Sequence, residues 1–195
     1  MKSPPLVILC LDLALANTGV SVIAVNDSED SLIYVNTIHT EKSDKATIRK
    51  NKMRTSDDEW RRTKELCVAL KQVIVQYTPK HIFIECPTGG SKSANAAKSM
   101  AIARGVACAV ITGANIPVTL VTPFEAKRAA TGDPSASKQQ VKEAVLKCFP
   151  LFDGWLRGKR GQVIAGPNEH IYDSLSVYMA SKNTQFYKDL KNDSR

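Results

Sequence analysis

The sequence offers no early hydrophobic run that could span a membrane. The longest one, Leu6 to Ala16, is interrupted by Asp12 and is far shorter than the roughly 20 apolar residues that cross a bilayer. A secretory signal is not expected either, because Pro4 and Pro5 directly precede this apolar run and no small-residue cleavage site follows it. These absences predict a cytoplasmic protein that does not use a membrane.

Paired cysteines are also missing. The five cysteines are scattered, and none has the C-x-x-C spacing that zinc sites use. Four of them lie among apolar neighbours, which is typical of buried free thiols. We therefore expect a structural role for the cysteines, without disulfides or zinc. They are Cys10, Cys67, Cys86, Cys108 and Cys148.

Acidic residues are outnumbered by basic ones. The chain has 27 Lys and Arg against 19 Asp and Glu, a formal net charge of +8. This charge favours nucleic acid or an anionic membrane surface as a partner, and the short, interrupted apolar run disfavours the membrane. Basic residues concentrate in an arm over residues 41–54 and in a glycine-rich loop over residues 154–166. Trp60 and Trp155 flank these segments, and we interpret both as packing residues because tryptophan is usually mostly buried. The residues that could follow a phosphate backbone are Lys45, Arg49, Lys50, Lys52, Arg54, Lys92, Lys98, Arg157, Lys159 and Arg160.

The order of apolar segments predicts a single α/β domain over the whole chain. Leu6–Leu13, Gly19–Val25 and Leu32–Ile38 have the aliphatic and β-branched composition of strands, and their short polar connections predict an antiparallel meander. His81–Glu85 and Val118–Thr122 are further strand candidates, which would run parallel because helices connect them.

Helices are predicted between and after these strands. One begins near Ser56 and ends before Pro79, and the others cover Ala94–Gly113, Phe124–Ala130, Ser137–Cys148 and about Asn168–Lys182. Residues 41–54 show no clean periodicity and are expected to form a loop. Three antiparallel strands, followed by alternating helices and parallel strands, predict a mixed sheet with helices on both faces.

Two acids occupy positions that otherwise belong to the core. Asp12 interrupts an aliphatic strand, and Glu85 follows the strand residues Ile82–Ile84. An ionised carboxylate is tolerated in such a place only beside a partner charge or a metal, and neither strand contains Lys or Arg. Either acid alone could simply cap a turn at a strand end. As a pair, they point to a metal site.

His170 and Asp173 form a second pair. Their i, i+3 spacing places both on one face of the last predicted helix, although a lone His-x-x-Asp is commonly an ordinary surface or capping pair. With Asp12 and Glu85, Asp173 offers the hard oxygen ligands that suit magnesium or manganese. Two such ions about 4 Å apart would serve in-line hydrolysis of a phosphodiester. His170 would either bind a metal or shuttle a proton.

These segments resemble the RuvC family of Holliday junction resolvases, including its phage-borne members, which have a ribonuclease H-like fold. The matching segments, in the family's order and spacing, are Leu9–Asp12 with Asn17–Gly19, Ile82–Glu85, Ala94–Ala107 and His170–Leu175, with a lysine-bearing segment between Val121 and Val141. The resemblance covers about residues 6–182, apart from the basic arm and the basic loop.

The resemblance implies a catalytic site that binds two Mg²⁺ or Mn²⁺ ions and cuts branched DNA. Its catalytic and metal-binding residues would be Asp12, Glu85, His170 and Asp173, with Lys127 and Lys138 near the scissile phosphates. Lysine suits that task as a point charge, although both lysines could instead belong to a solvated helix face. The resemblance also implies a homodimer that cuts a four-way junction symmetrically, in bacterial or phage-infected cytoplasm. Small residues at positions 94, 97, 101 and 105 would let another helix approach, or would pack on the protein's own sheet.

Two positions depart from the family's pattern. Many members have Asp where this chain has His170, although a His variant also occurs, which would change metal preference and pH profile. The family commonly has an aromatic residue where this chain has Thr88. Threonine cannot stack on a base as an aromatic ring can, so selectivity for the four-way junction would be less strict. We therefore also expect activity on flaps, forks and other branched DNA.

Other functions fit the same residues. An RNA-directed nuclease is one alternative, because the residues that would contact a 2′-hydroxyl, and so distinguish RNA from DNA, cannot be identified from the sequence. A non-catalytic module that binds branched nucleic acid is another, against which the complete tetrad argues. Actin-like ATPases and sugar kinases share the fold, but they need two such domains and a second phosphate loop, which this chain lacks.

Overall fold

The computed structural model describes residues 6–87, 93–149 and 165–193. Its five strands are β1 (Leu6–Asp12), β2 (Asn17–Val25), β3 (Ser31–His39), β4 (His81–Glu85) and β5 (Val118–Val121). They form one sheet in the order β3-β2-β1-β4-β5. The first three strands pair antiparallel, and β4 pairs parallel with both β1 and β5. The predicted mixed sheet is confirmed.

Helices cover both faces of this sheet. Those in the described residues are α1 (Lys45–Lys50), α2 (Thr55–Tyr77), α3 (Ala94–Gly113), α4 (Pro123–Thr131), α5 (Lys138–Cys148), α6 (Ala165–Ser181) and α7 (Gln185–Asp193). One hydrophobic cluster joins the sheet to α2 and α3, and a second joins it to α4, α6 and α7. A third cluster packs α5 against α6.

β1 is apolar on both faces because it lies in the centre of the sheet. Leu9 and Leu11 belong to the cluster with α2 and α3, whereas Ile8 and Cys10 belong to the cluster with α6. All four are fully buried, which explains the unbroken aliphatic run. Asp12 ends the strand, so the first polar side chain lies at the edge of the core.

Two helices differ from the sequence predictions. The basic arm, predicted as a loop, contains α1, whose N-cap Asp44 accepts a hydrogen bond from the Thr47 amide. None of its residues is buried, so the sequence shows no helical apolar stripe. α7, which packs Tyr187 against the sheet, was not predicted. It is held by Lys191, which pairs with Asp30 at 2.8 Å, and by Tyr187, whose hydroxyl donates to the same carboxylate.

The prediction that four cysteines are buried is wrong. All five cysteines are free, but only Cys10 is buried, while Cys67 and Cys86 are half-buried. Cys108 and Cys148 are exposed because they lie on the outward faces of α3 and α5.

α3 has a length and an apolar composition that would suffice to cross a membrane, the one such helix in the described residues. Core helices of soluble proteins pass the same test, so this is weak evidence for a membrane segment. Ala103, Val106, Ala107 and Ile111 are buried in the cluster shared with α2 and the sheet. The opposite face of α3 is exposed. Thr88 and residues 154–164 of the predicted basic loop lie outside the described residues.

Candidate metal centre

Asp12 and Glu85 lie side by side at one edge of the sheet. β1 and β4 are adjacent and parallel, and their register pairs Asp12 with Glu85. Directly paired residues project from the same face of a sheet. The predicted pairing of the two strand acids is therefore present, and both acids are only partly exposed.

α6 brings the other two predicted residues to the same place. His170 Nδ1 lies 3.0 Å from Asp12 Oδ2. Ligand atoms of Asp12, His170 and Asp173 all lie within 4.8 Å of one another. Two carboxylates and one imidazole are donors that fit Mg²⁺ or Mn²⁺. Glu85 falls outside this closest group, so it lies beside the three other residues rather than among them.

The site holds more negative charge than its surroundings compensate. Burial, followed by the charges of Asp12 and Asp173, raises the pKa of Glu85 to about 8. Burial and the charge of Asp12 raise the pKa of Asp173 to about 6. The hydrogen bond to Asp12 raises the pKa of His170. A cation between these groups would favour their ionised carboxylates, so the cluster has the electrostatics of a metal centre.

The two predicted lysines lie near the acids. Lys127, on α4, and Lys138, at the start of α5, both act to lower the pKa of Glu85 through their charges. Lys138 also forms an ion pair with Glu169, the residue before His170. The lysine side chain remains largely exposed. Its position is therefore at the mouth of the site, where it is already paired with an acid.

Glu169 is a site residue that the sequence analysis did not identify. Its carboxylate accepts from Lys138, and this pairing lowers the pKa of Glu169. The dipeptide Glu169-His170 on the last helix was the available signal. Such neighbours are common on helices, so the sequence alone gave no reason to select it.

Gly19 is a second residue that the sequence analysis did not recognise as a site residue. It pairs with Asp12 across β1 and β2. A Cβ atom at this position would lie 2.5 Å from the carbonyl carbon of His170, and closer still to its oxygen. Real side chains essentially never approach a backbone so closely, so only glycine lets α6 rest on β2 here. A glycine inside a strand was the signal for such a close approach.

A family model described as crossover junction endodeoxyribonuclease RuvC matches residues 8–153 of the chain. The chain belongs to the RuvC family. Among curated proteins, RuvC of Chlamydia trachomatis serovar A is 29% identical over 130 residues, which are 67% of this chain and 71% of that protein. RuvC of Xylella fastidiosa strain Temecula1 is 30% identical over 124 residues, 64% of this chain and 70% of that protein.

Solved structures show the same fold. Thermus thermophilus RuvC in complex with a Holliday junction substrate superposes with a TM-score of 0.68 and 18% identity, over 95% of this chain and 96% of that one. The yeast mitochondrial Holliday junction resolvase Ydc2 gives a TM-score of 0.59 with 17% identity, over 99% of this chain and 86% of that one. The predicted ribonuclease H-like fold of the RuvC type is thereby confirmed.

The family match and the geometry of the site complement each other. The matched span contains Asp12, Glu85, Lys127 and Lys138 but ends before α6. His170 and Asp173 lie beyond the matched span, on α6. The contacts of α6 with β1, β2 and β4 bring them to the strand acids.

Proposed function

We propose that this RuvC-family chain is a metal-dependent endonuclease that cuts branched DNA, above all Holliday junctions. The observation that carries the proposal is the convergence of Asp12, Glu85 and Asp173, from three separate elements, at one edge of the sheet. Membership of a family described as crossover junction endodeoxyribonucleases supports the substrate. The enzyme would act in bacterial or phage-infected cytoplasm.

The donor set fits divalent metal ions. Asp12, His170 and Asp173 would hold one Mg²⁺ or Mn²⁺ ion, and Glu85 would help to hold a second. When bound, two such ions supply an activated water and stabilise the leaving oxygen of a phosphodiester. Since Glu85 and Asp173 both have raised pKa values, their ionisation would accompany metal binding.

The side chains around the acids would orient the reacting groups. The hydrogen bond between Asp12 and His170 Nδ1 fixes the imidazole and leaves the other ring nitrogen for a metal or a proton. Lys127 and Lys138 carry positive charge at the mouth of the site, where a DNA phosphate would lie. Glu169 holds Lys138 there until a phosphate competes for its ammonium group.

Binding to DNA would rest on the basic surface of the chain. The arm over residues 41–54 presents several exposed cations. Contacts of this type with the phosphate backbone weaken as salt increases. The cations are Lys42, Lys45, Arg49, Lys50, Lys52 and Arg54.

The chain would act as a homodimer. The small residues Ala94, Ala97, Ala101 and Gly105 lie on one face of α3, and all four are exposed. The alternative that this stripe packs on the protein's own sheet is excluded by this exposure. A face of small residues lets a second helix approach closely, and two copies would present two sites to the two strands of a junction.

The test is cleavage of a labelled synthetic four-way junction with Mg²⁺ or Mn²⁺. We expect Asp12→Asn to cut at least about 100-fold more slowly, since even outer partners of metal ligands are worth 10- to 100-fold, while it still binds the junction. Asp189→Asn on α7 makes the same charge change at an exposed position away from the site and should cut normally.

Parallel substrates distinguish the alternatives. A flap, a duplex and an RNA/DNA hybrid of the same sequence are compared with the junction. Preferred cutting of the hybrid would establish an RNA-directed nuclease. Binding of the junction without cleavage in the presence of either metal would show that the protein is a non-catalytic binding module.

A further inference from the structure

Trp60 does not pack in the core. Its side chain on the second turn of α2 is 73% exposed, more than that of any other large hydrophobic residue in the described part of the chain. The interpretation of Trp60 as a packing residue is therefore wrong. Exposure of a whole indole to water forgoes the free energy that its burial would provide, which suggests that another molecule covers it.

α2 places Trp60 at the same edge of the sheet as the acids. The helix leads into the start of β4, so its first turns lie towards the end of the sheet at which β4 finishes with Glu85. Arg62 Nε donates to the carbonyl oxygen of Thr40 at 3.2 Å. The Thr40 hydroxyl donates in turn to the carbonyl oxygen of Leu15, three residues after Asp12. Trp60 is two residues from Arg62 and points away from this buried contact.

The backbone that carries Trp60 is held on both sides. The carboxylate of the buried Asp58 accepts from the Ser43 hydroxyl at 2.6 Å and from Arg61 at 2.8 Å. Glu59 pairs with Lys98 of α3 at 2.6 Å. These contacts turn the residues on either side of Trp60 inwards and leave its indole facing outwards. The ring is therefore presented on a fixed support.

The charge around Trp60 is suited to DNA. The three acids that precede Trp60 on α2 are each paired with a basic side chain, Asp57 with Arg54, Asp58 with Arg61 and Glu59 with Lys98. The exposed Lys64 follows Trp60 one turn later on the same face of the helix, and the arm that ends at Arg54 adds further exposed cations. A basic surface that carries an exposed aromatic ring is the combination that binds single-stranded nucleic acid, with phosphates on the cations and a base stacked on the ring. Bases inside a duplex are already stacked on both sides and cannot use such a ring.

We propose that Trp60 is a stacking platform for an unpaired base of the DNA strand that approaches the metal centre. The inference rests on the proposed nuclease function and refines its substrate, to DNA that exposes an unstacked base near the cleaved phosphate. Branched DNA offers such bases at the branch point, whereas a continuous duplex does not.

Fluorescence of the indole itself tests the contact. Trp60 and Trp155 are the only tryptophans of the chain, so Trp155→Phe leaves Trp60 as the single reporter. In a chain that also carries Asp12→Asn to prevent cutting, we expect a four-way junction or a fork with unpaired arms to quench the emission of Trp60. A fully paired duplex of the same length should leave it unchanged.

Affinity provides a second measurement. Trp60→Ala should raise the Kd for the junction and the fork about tenfold, within the range for loss of one base stacked on an aromatic side chain, while the Kd for the duplex stays the same. Trp60→Phe should recover most of the affinity. Val75→Ala is the matched control, because Val75 is also well exposed, at 66%, but lies at the far end of α2.

The outcomes separate this inference from the nuclease proposal. Absence of quenching, or an equal loss of affinity for junction and duplex, overturns the stacking platform even if the wild-type protein cuts junctions. Conversion of a dimer to a monomer by Trp60→Ala also overturns it, because the indole would then be covered by the second subunit. If a junction quenches the emission of Trp60 but the wild-type protein never cuts it, the stacking platform is supported and the proposed nuclease function is contradicted.

Discussion

Glu85 is a residue whose protonation should depend on what binds beside it. Burial and two neighbouring acids raise its pKa to about 8, so the side chain is largely protonated at neutral pH when no cation is near. Metal ligands must be deprotonated to bind. In the proposed metal centre, proton release from Glu85 would therefore accompany metal binding, and the buried Glu85 carboxylate should reduce the stability of the metal-free protein at high pH.

We expect Glu85→Gln to stabilise the metal-free protein at pH 8 and to have little effect near pH 4. Glu85 has an ordinary pKa of 4.5 and a folded pKa of about 8. Between these values the folded state holds a proton that the unfolded state has released, so stability falls as the pH rises. One pKa unit corresponds to about 1.4 kcal/mol, and we expect a gain of at least about 1 kcal/mol.

Thermal unfolding in EDTA at several pH values measures this gain. Addition of Mg²⁺ at pH 8 should raise the Tm of the wild type more than that of the variant. The same pH dependence of Tm in both proteins would show that Glu85 has an ordinary pKa and is not coupled to the other acids.

At the scale of elements, the sequence predicts what depends on patterns within one element. β1 and β4 are identified by aliphatic runs, and each run is interrupted or ended by an acid that a core strand does not tolerate. α1 was missed because it buries nothing and shows no apolar stripe. α7 was missed although Tyr187, Phe186 and Leu190 pack into the core, because its nine residues give only a short pattern. The close approach of α6 to Gly19 was missed for another reason. It depends on two elements about 150 residues apart in the chain, and the glycine inside β2 signals a close approach without showing which element approaches.

Gly19→Ala should impair cleavage more than it impairs folding. The added methyl group would collide with the backbone of His170, so α6 would have to shift and carry His170 and Asp173 away from Asp12. Overpacking of this kind costs about 1–3 kcal/mol, whereas a displacement of about 1 Å at a catalytic site can cost about 100-fold in rate. The measurement is the cleavage rate at saturating metal, together with the Tm.

Gly113→Ala is the control for the change at Gly19. No atom outside its own helix and neighbours lies within 4 Å of a Cβ at Gly113, so this variant should cut at the wild-type rate. A Gly19→Ala enzyme that also cuts normally would show that α6 does not need its close contact with β2.

At the scale of the whole molecule, α3 divides its surface between the core and the outside. Its buried face holds α2 and the sheet, and its other face exposes the stripe of small residues. The spacing of these residues was visible in the sequence, but their exposure was not, since the same spacing serves packing on the protein's own sheet. In a two-fold dimer the same patch meets its own copy, so each residue near the axis faces itself.

Ala101→Arg should convert the proposed dimer to a monomer, because it would place two bulky cations opposite each other where the two α3 helices would approach closely. Light scattering would show the mass fall from twice the chain mass to the chain mass of 21.3 kDa. Gln139→Arg adds the same charge at an exposed position on α5 and should remain dimeric. The monomer should still nick one strand of a junction but should lose paired cuts in two strands. A dimeric Ala101→Arg protein, or a wild type that stays monomeric on junction DNA, would place any second subunit elsewhere than on α3.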